Sequence, residues 1–254
     1  MSKPSIIIVH GAYHQPAHFE SLIKVLRDAG YRVFAPPLPS TFATPAVSDM
    51  DPDVEAVVKA VSAEVDEGQE VVVFAHSYGG MPASSALPGL DKKSRQEQGL
   101  KGGVIGVVYL AAMMPDEGLT LMDYRPQDKE LVASGKIKIV DGIHRISPEE
   151  ARFLMYNRQT DPAIIDRACS LLTFWAVGCG MAPMKYNPWR NGIPCTYIFC
   201  ENDTTMPLEL QTKLTEGRSI DVIRCDGDHS PFLDRPEWVA KVIKKVAGEK
   251  GLEL

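Results

Sequence analysis

A serine placed directly after a strand-like run is the first residue of this sequence that could do chemistry. The run reads VVVFAHSYGG over residues 71–80 and contains Ser77. A sharp turn from strand to helix would lift the Ser77 hydroxyl above the sheet, provided that small residues two positions before and after it avoid the neighbouring backbone. Ala75 and Gly79 meet that requirement, although the usual motif has Gly at the first position. The pattern predicts a nucleophile; the alternative is a serine that only caps a helix.

A serine hydroxyl is a weak nucleophile unless a base takes its proton. Of the six histidines, His229 is the best candidate, because it follows the last predicted strand in a polar loop. In a parallel sheet this loop emerges at the same edge as the turn that carries Ser77. His10 and His76 stand at strand ends beside that turn, where we expect hydrogen bonds to the loops rather than proton transfer. We expect His18 and His144 at the surface or in a cap.

Backbone amides beside the serine could bind negative charge. The first predicted strand, Ser5–Val9, leads into Gly11, which lets the chain fold back over the sheet edge. The N–H groups of Ala12 and Tyr78 could then converge on one oxyanion, and losing one such donor costs ~3 kcal/mol of transition-state stabilisation. We also expect His10 and Gly11 to contact the substrate. The alternative for Gly11 is a simple turn glycine.

The base needs a carboxylate that orients it. Asp203 is the best candidate, because it follows the penultimate predicted strand. An acid within a few residues of His229 would reach the far ring nitrogen only awkwardly. The other acidic residues considered are Asp116, Glu201, Asp226 and Asp228.

Apolar runs of strand length alternate with helix-length segments along most of the chain. The pattern predicts strands over residues 5–9, 31–35, 70–75, 103–112, 195–200 and 220–225. Such alternation is typical of an α/β fold with a mostly parallel sheet covered by helices on both faces. The rhythm breaks between residues 113 and 189, which we interpret as a helical cap inserted into a core made of residues 1–112 and 190–254. Ser147 and Glu150 predict a capping box at the start of one helix of the cap.

Composition excludes several classes of protein. The 254 residues carry a net charge of −6 and 44% hydrophobic side chains, without a long basic run or a long apolar stretch. We therefore expect a globular protein that binds neither nucleic acid nor membrane. The five cysteines form no CxxC pair, so neither a disulfide framework nor a zinc site is indicated, and a cytoplasmic location is the simpler interpretation. We expect no metal and no organic cofactor, because neither HExxH nor GxGxxG after a strand occurs.

The order Ser77, Asp203, His229 is that of the α/β-hydrolase superfamily. The sequence resembles the methylesterase and hydroxynitrile-lyase branch of that superfamily, and more closely its microbial relatives. The matching pieces are IIIVHGAYHQPAHFESLIKVLRDAGYRVFAPPLPS, FAHSYGG, VVYLAA, TYIFCENDTTMPLELQ and DGDHSPFLDRPEWVA. The resemblance implies a serine hydrolase that cleaves an ester or lactone through an acyl-enzyme, and a role in microbial secondary metabolism would suit it. It leaves the oligomeric state open, with a homodimer as one option.

The same branch implies an alternative chemistry. Its lyases carry Thr where this chain has Gly11, and Lys where it has Ser230. Their absence favours ester cleavage over a carbon–carbon lyase or another base-catalysed reaction. A ligand-binding hydrolase fold without activity is a third option, but it has no need of all three triad residues.

The cap supplies the expected substrate contacts. It is rich in Met and aromatic residues, some of which should line an apolar pocket for a small, largely apolar molecule. We expect Met113, Phe174 and Trp175 as pocket walls. Arginines such as Arg125 could meet a carboxylate substrate, but solvated positions are the default for them.

Overall fold

The computed structural model describes residues 3–135 and 137–253, and eight strands lie in these ranges. In chain order they are β1 (Ser5–Val9), β2 (Val33–Phe34), β3 (Glu70–His76), β4 (Gly103–Leu110), β5 (Ile143–Arg145), β6 (Phe174–Ala176), β7 (Cys195–Cys200) and β8 (Asp221–Cys225). Six of them form a parallel sheet in the order β2-β1-β3-β4-β7-β8. The parallel α/β sheet predicted from the alternation is therefore confirmed. The second predicted strand shrinks to two residues because prolines follow it closely.

Eleven α-helices lie in the described residues, and those outside the insertion cover the two faces of this sheet. In chain order they are α1 (Glu20–Asp28), α2 (Asp51–Asp66), α3 (Gly80–Ser85), α4 (Lys92–Glu97), α5 (Leu121–Tyr124), α6 (Pro126–Ala133), α7 (Pro148–Leu154), α8 (Pro162–Ser170), α9 (Gly178–Met181), α10 (Leu208–Thr215) and α11 (Pro236–Val246). Helix α4 was not expected from the sequence.

The core lies in two layers because the side chains of a strand alternate between the faces of the sheet. Ile7 and Val9 of β1 pack with one layer, which includes Val57 and Val61 of α2. The alternate residues of β1 pack with the other layer, formed largely by α1 and α11. All five residues of β1 are buried, as expected for a continuous apolar run between two helical layers.

Residues 113–189, called the insertion from here on, leave the sheet after β4 and return to it at β7. The insertion contains α5 to α9 and a separate antiparallel pair of strands, β5 and β6. The predicted capping box is confirmed: Ser147 accepts from the Glu150 amide, and Glu150 bonds back to the Ser147 amide. The short strands were not expected, since three residues are too few to display a period. Among the described residues we find no helix long and apolar enough to cross a membrane.

Candidate active site

Ser77 lies at the turn between β3 and α3. Its backbone adopts φ 54°, a left-handed conformation that costs a non-glycine residue energy and is typical of strained functional turns. The turn packs tightly against the loops beside it. A Cβ on Gly79 would lie 2.4 Å from the carbonyl oxygen of His10, and one on Gly80 would lie 2.3 Å from that of Met113. Only glycines therefore allow this approach, which explains the pattern around the serine.

Gly11 makes room for the candidate nucleophile. A Cβ at Gly11 would lie 2.6 Å from the Cβ of Ser77 and 3.2 Å from its Oγ. Any side chain at this position would displace Ser77. The contribution of Gly11 is therefore space beside the hydroxyl rather than flexibility in a turn.

His229 and Asp203 form a buried hydrogen-bonded pair. The Nδ1 of His229 lies 2.6 Å from Oδ2 of Asp203, and both side chains are almost fully buried. The other carboxylate oxygen of Asp203 accepts from the amides of Thr205 and Met206, each at 2.8 Å. These bonds hold the carboxylate in place. Because Nδ1 of His229 is bonded to Asp203, Nε2 is the ring nitrogen available for proton transfer.

The other acids considered from the sequence are engaged elsewhere. Asp116 binds Arg190 and Arg218, and Glu201 binds Arg224. Asp228 is fully buried and accepts from the amide of Ser230. The remaining candidate, Asp226, accepts from Asn202.

Asp228 also joins the loop of His229 to the insertion. Its Oδ2 accepts from the amide of Arg158 at 2.9 Å, and the side-chain amide of Gln159 lies 3.2 Å from both oxygens. Burial raises the pKa of this carboxyl group. The residue next to the candidate base therefore anchors the insertion.

Two buried histidines hold the loops around the site. The Nε2 of His76 bonds the carbonyl of His229 at 2.9 Å, which fixes the backbone of the candidate base. His10 uses both ring nitrogens: Nδ1 lies 3.0 Å from the carbonyl of Gly11, and Nε2 accepts from the amide of Leu38. Burial lowers the pKa of His10 to about 4, so the ring is neutral near pH 7.

Ser77 and His229 line one cavity of about 380 Å³, together with Ala12 and Tyr78. The amide of Tyr78 belongs to the first helical turn after the strand, where N–H groups have no acceptor within the helix. Ala12, Ser77, Tyr78 and His229 therefore all border the same cavity. Apolar side chains form much of the remaining wall: Met113, Leu121, Leu131, Ile137, Ile146, Leu154, Met155, Trp175 and Met206.

Only some of the expected substrate contacts line the cavity. Met113 and Trp175 line the cavity, whereas Phe174, His10 and Gly11 do not. Phe174 and Trp175 are neighbours in β6, and adjacent residues of a strand point to opposite faces. Phe174 therefore packs under the guanidinium of Arg145, with 5.2 Å between them. The expectation that both aromatic residues form the pocket wall needs correcting for Phe174, and the expected substrate contact of His10 is replaced by its hydrogen bonds to the loops.

Of the polar residues in the wall, sequence reasoning had considered only Arg125 as a substrate contact. Tyr13, His144, Glu150, Arg125 and Asp128 all line the cavity. Tyr13 directly follows Ala12, so its position next to the oxyanion loop could have been noticed. His144 carried no such signal, because its strand, β5, is only three residues long.

Neither a metal centre nor a disulfide is found among the residues that the structure describes. No cluster of three or more histidine, cysteine or acidic side chains in these ranges could hold a metal ion. All five cysteines are free, and four of them are buried.

Comparison with known proteins places the chain in a family. The model of the alpha/beta hydrolase family matches residues 6–242. An alpha/beta hydrolase of Aspergillus novofumigatus is 32% identical, with 98% of each chain covered. A carbendazim hydrolyzing esterase of Nocardioides sp. is 28% identical over 93% of this chain and 97% of its own. A crystal structure of a methylesterase from Arabidopsis shares the fold, with a TM-score of 0.73 at 19% identity and coverage of 96% and 99%. The chain belongs to the alpha/beta hydrolase family.

Proposed function

We propose that this protein is a serine hydrolase that cleaves a carboxylic ester or lactone of a small, largely apolar molecule. The observation that carries the proposal is that His229, bonded at 2.6 Å to a buried Asp203, lines the same cavity as a serine in a strained turn. The relative that is named as an esterase and is 28% identical over nearly the whole chain supports the same reaction class.

The reaction follows from the atoms available. The Nε2 of His229 takes the proton of Ser77 as Oγ attacks the carbonyl carbon, and Asp203 stabilises the resulting imidazolium. The amides of Ala12 and Tyr78 bind the oxyanion of the tetrahedral intermediate. When the intermediate collapses, the bond to the alcohol breaks and His229 gives its proton to the leaving oxygen. Water, deprotonated by His229, then attacks the acyl-enzyme, and His229 returns the proton to the Ser77 Oγ as the bond to the acyl group breaks and the acid is released.

Hydrolysis is favoured over the lyase alternative by the surroundings of Gly11 and Ser230. The Cβ of a threonine at position 11 would lie 2.6 Å from the Cβ of Ser77, so the residue that the lyases use does not fit without a shift. Ser230 is fully buried and is not among the residues that line the cavity. A cyanide-release assay with mandelonitrile tests this choice, and we expect no release above background.

The direct test uses a p-nitrophenyl acyl ester series and a fluorophosphonate probe on the wild type and on Ser77→Ala. We expect labelling and turnover in the wild type, and a loss of about 10⁴-fold or more in turnover in the variant. Ser170→Ala, which removes an exposed hydroxyl outside the cavity, is the matched control and should react like the wild type. Labelling that survives in Ser77→Ala would refute the nucleophile.

A further inference from the structure

Tyr13 and His144 form a hydrogen-bonded pair in the wall of the cavity, and the proposed reaction has no use for it. The hydroxyl of Tyr13 lies 2.8 Å from Nδ1 of His144, and the two rings meet edge to face with 5.6 Å between their centroids. Both residues line the cavity that contains Ser77. A pair that faces the substrate without acting on the ester is a candidate for recognition of another part of the substrate.

The structure holds this pair in place from both sides. The backbone of Tyr13 has φ 63°, an unfavourable conformation for a large side chain, and its carbonyl accepts from the amide and the hydroxyl of Thr173. His144 lies directly opposite Trp175 in the antiparallel β5–β6 pair, so both side chains point to the same face. The ring of Trp175 contacts Tyr13 and also Tyr78, with centroid distances of 6.2 and 5.2 Å. The tryptophan therefore connects the reacting end of the cavity to the pair.

His144 leaves the hydroxyl oxygen of Tyr13 one further hydrogen bond in either tautomer, and the tautomer sets its direction. If Tyr13 donates to Nδ1, its oxygen retains a lone pair and can accept from the substrate. If Nδ1 donates instead, the Tyr13 hydroxyl is free to donate. An alcohol or phenol both donates and accepts, so it can bind Tyr13 in both cases. An ether or a carbonyl can only accept, so it can bind Tyr13 only in the second case.

The charges beside the pair disfavour an anionic substrate. Arg125 is the cation among the described residues that line the cavity, but its Nε binds Asp128 at 2.6 Å and its Nη1 binds the carbonyl of Thr205 at 2.7 Å. Glu150 adds a second carboxylate, and among the described residues it forms no ion pair. With a neutral His144, the lining residues that the structure describes carry more negative than positive charge. A carboxylate on the substrate would be repelled, and the arginine that could have received it is already engaged.

We infer that Tyr13, positioned by its hydrogen bond to His144, binds a hydroxyl group of the substrate, and that the substrate class is an uncharged ester or lactone with a free alcohol or phenol away from the bond that is cleaved. This inference rests on the proposed function and names the substrate class of the same site.

The test compares p-nitrophenyl esters of straight-chain acids of increasing length, each ending in a methyl, hydroxyl, methoxy or carboxylate group. At the chain length that reaches the pair, we expect the wild type to cleave the hydroxyl ester with about tenfold higher kcat/KM than the methoxy ester, and to cleave the carboxylate ester least. Tyr13→Phe should lower kcat/KM for the hydroxyl ester about tenfold and leave the methyl ester within about twofold. Tyr124→Phe, which removes a phenol outside the cavity, should change neither.

Two results would overturn the inference. One is a Tyr13→Phe variant that loses the same factor with all four end groups, since this would mean that Tyr13 only supports the loop of Ala12. The other is a wild type without preference for the hydroxyl group at any chain length. Failure of the proposed function is recognised separately, by a wild type that neither turns over these esters nor takes up the fluorophosphonate.

Even if the wild type cleaves none of these esters, binding of the uncleaved primary amides of the same acids still tests the inference. This binding is followed by tryptophan fluorescence. Tighter binding of the hydroxyl amide that is lost in Tyr13→Phe supports it, and equal binding of all four amides overturns it.

Discussion

The two sides of the cavity are positioned by different kinds of structure. Ser77, Asp203 and His229 follow the ends of long parallel strands, and their placement is a consequence of the sheet itself. His144 and Trp175 stand on strands of three residues in the insertion, and their placement depends on one local register. The proposed reacting groups are therefore held by the large parallel sheet, whereas His144 and Trp175 are held by two of the smallest elements of the molecule.

The largest effect on activity is expected on the side of the cavity that the parallel sheet positions, called the sheet side. Asp203→Asn should lower kcat about 10⁴-fold, because an amide donates where the carboxylate accepts and leaves His229 in the wrong tautomer. Kinetics with a p-nitrophenyl ester and a urea unfolding curve would measure activity and stability on the same samples. Asp116→Asn is the matched control, since Asp116 binds Arg190 and Arg218 and does not line the cavity. If the control loses activity and Asp203→Asn retains it, the carboxylate is misassigned.

The next largest effect is on stability, at the contact between His18 and the insertion. The Nε2 of His18 bonds the carbonyl of Ala168 in the insertion at 3.1 Å, while Nδ1 accepts from the amide of Gln15. Burial lowers the pKa of His18 to about 4. Between about pH 6.5 and pH 4 the unfolded chain is protonated at this histidine whereas the folded chain is not. The free energy of unfolding therefore decreases as the pH falls from about 6.5 to about 4.

His18→Asn removes that difference, because asparagine does not titrate. Between pH 7 and pH 5 the wild type should lose about 2 kcal/mol more unfolding free energy than the variant. Urea titrations at the two pH values measure this difference. Equal losses in the wild type and His18→Asn would contradict a neutral, buried His18.

The smallest effect tests the register of the insertion. Trp175→Ala should raise KM about tenfold for an apolar ester by removing a wall of the cavity, whereas Phe174→Ala should leave KM within about twofold. Steady-state kinetics on the two neighbouring variants measures the difference. Similar KM values for both variants would mean that the strand presents its other face to the substrate.

Much of the sheet side was predictable because its signals are local and repeated. A buried strand, a turn with Gly79 and the polar loop around His229 each follow from the sequence, and parallel strands bring their ends to one edge. The insertion offered no comparable rule. Phe174 and Trp175 are equally apolar, and only the pairing of β5 with β6 determines which of them faces the cavity. Similarly, the fact that Arg125 is engaged by Asp128 is a matter of side-chain geometry that composition does not reveal.

Asp228 links the insertion to the loop that carries His229. Its carboxylate is bonded at once to the loop that carries His229 and to residues 158–159 of the insertion. Separating the insertion from the sheet there would leave a buried negative charge with fewer partners, which is costly. A displacement of residues 158–159 would also remove hydrogen bonds from the carboxylate that holds the loop of His229, so the position of that loop is coupled to the position of the insertion.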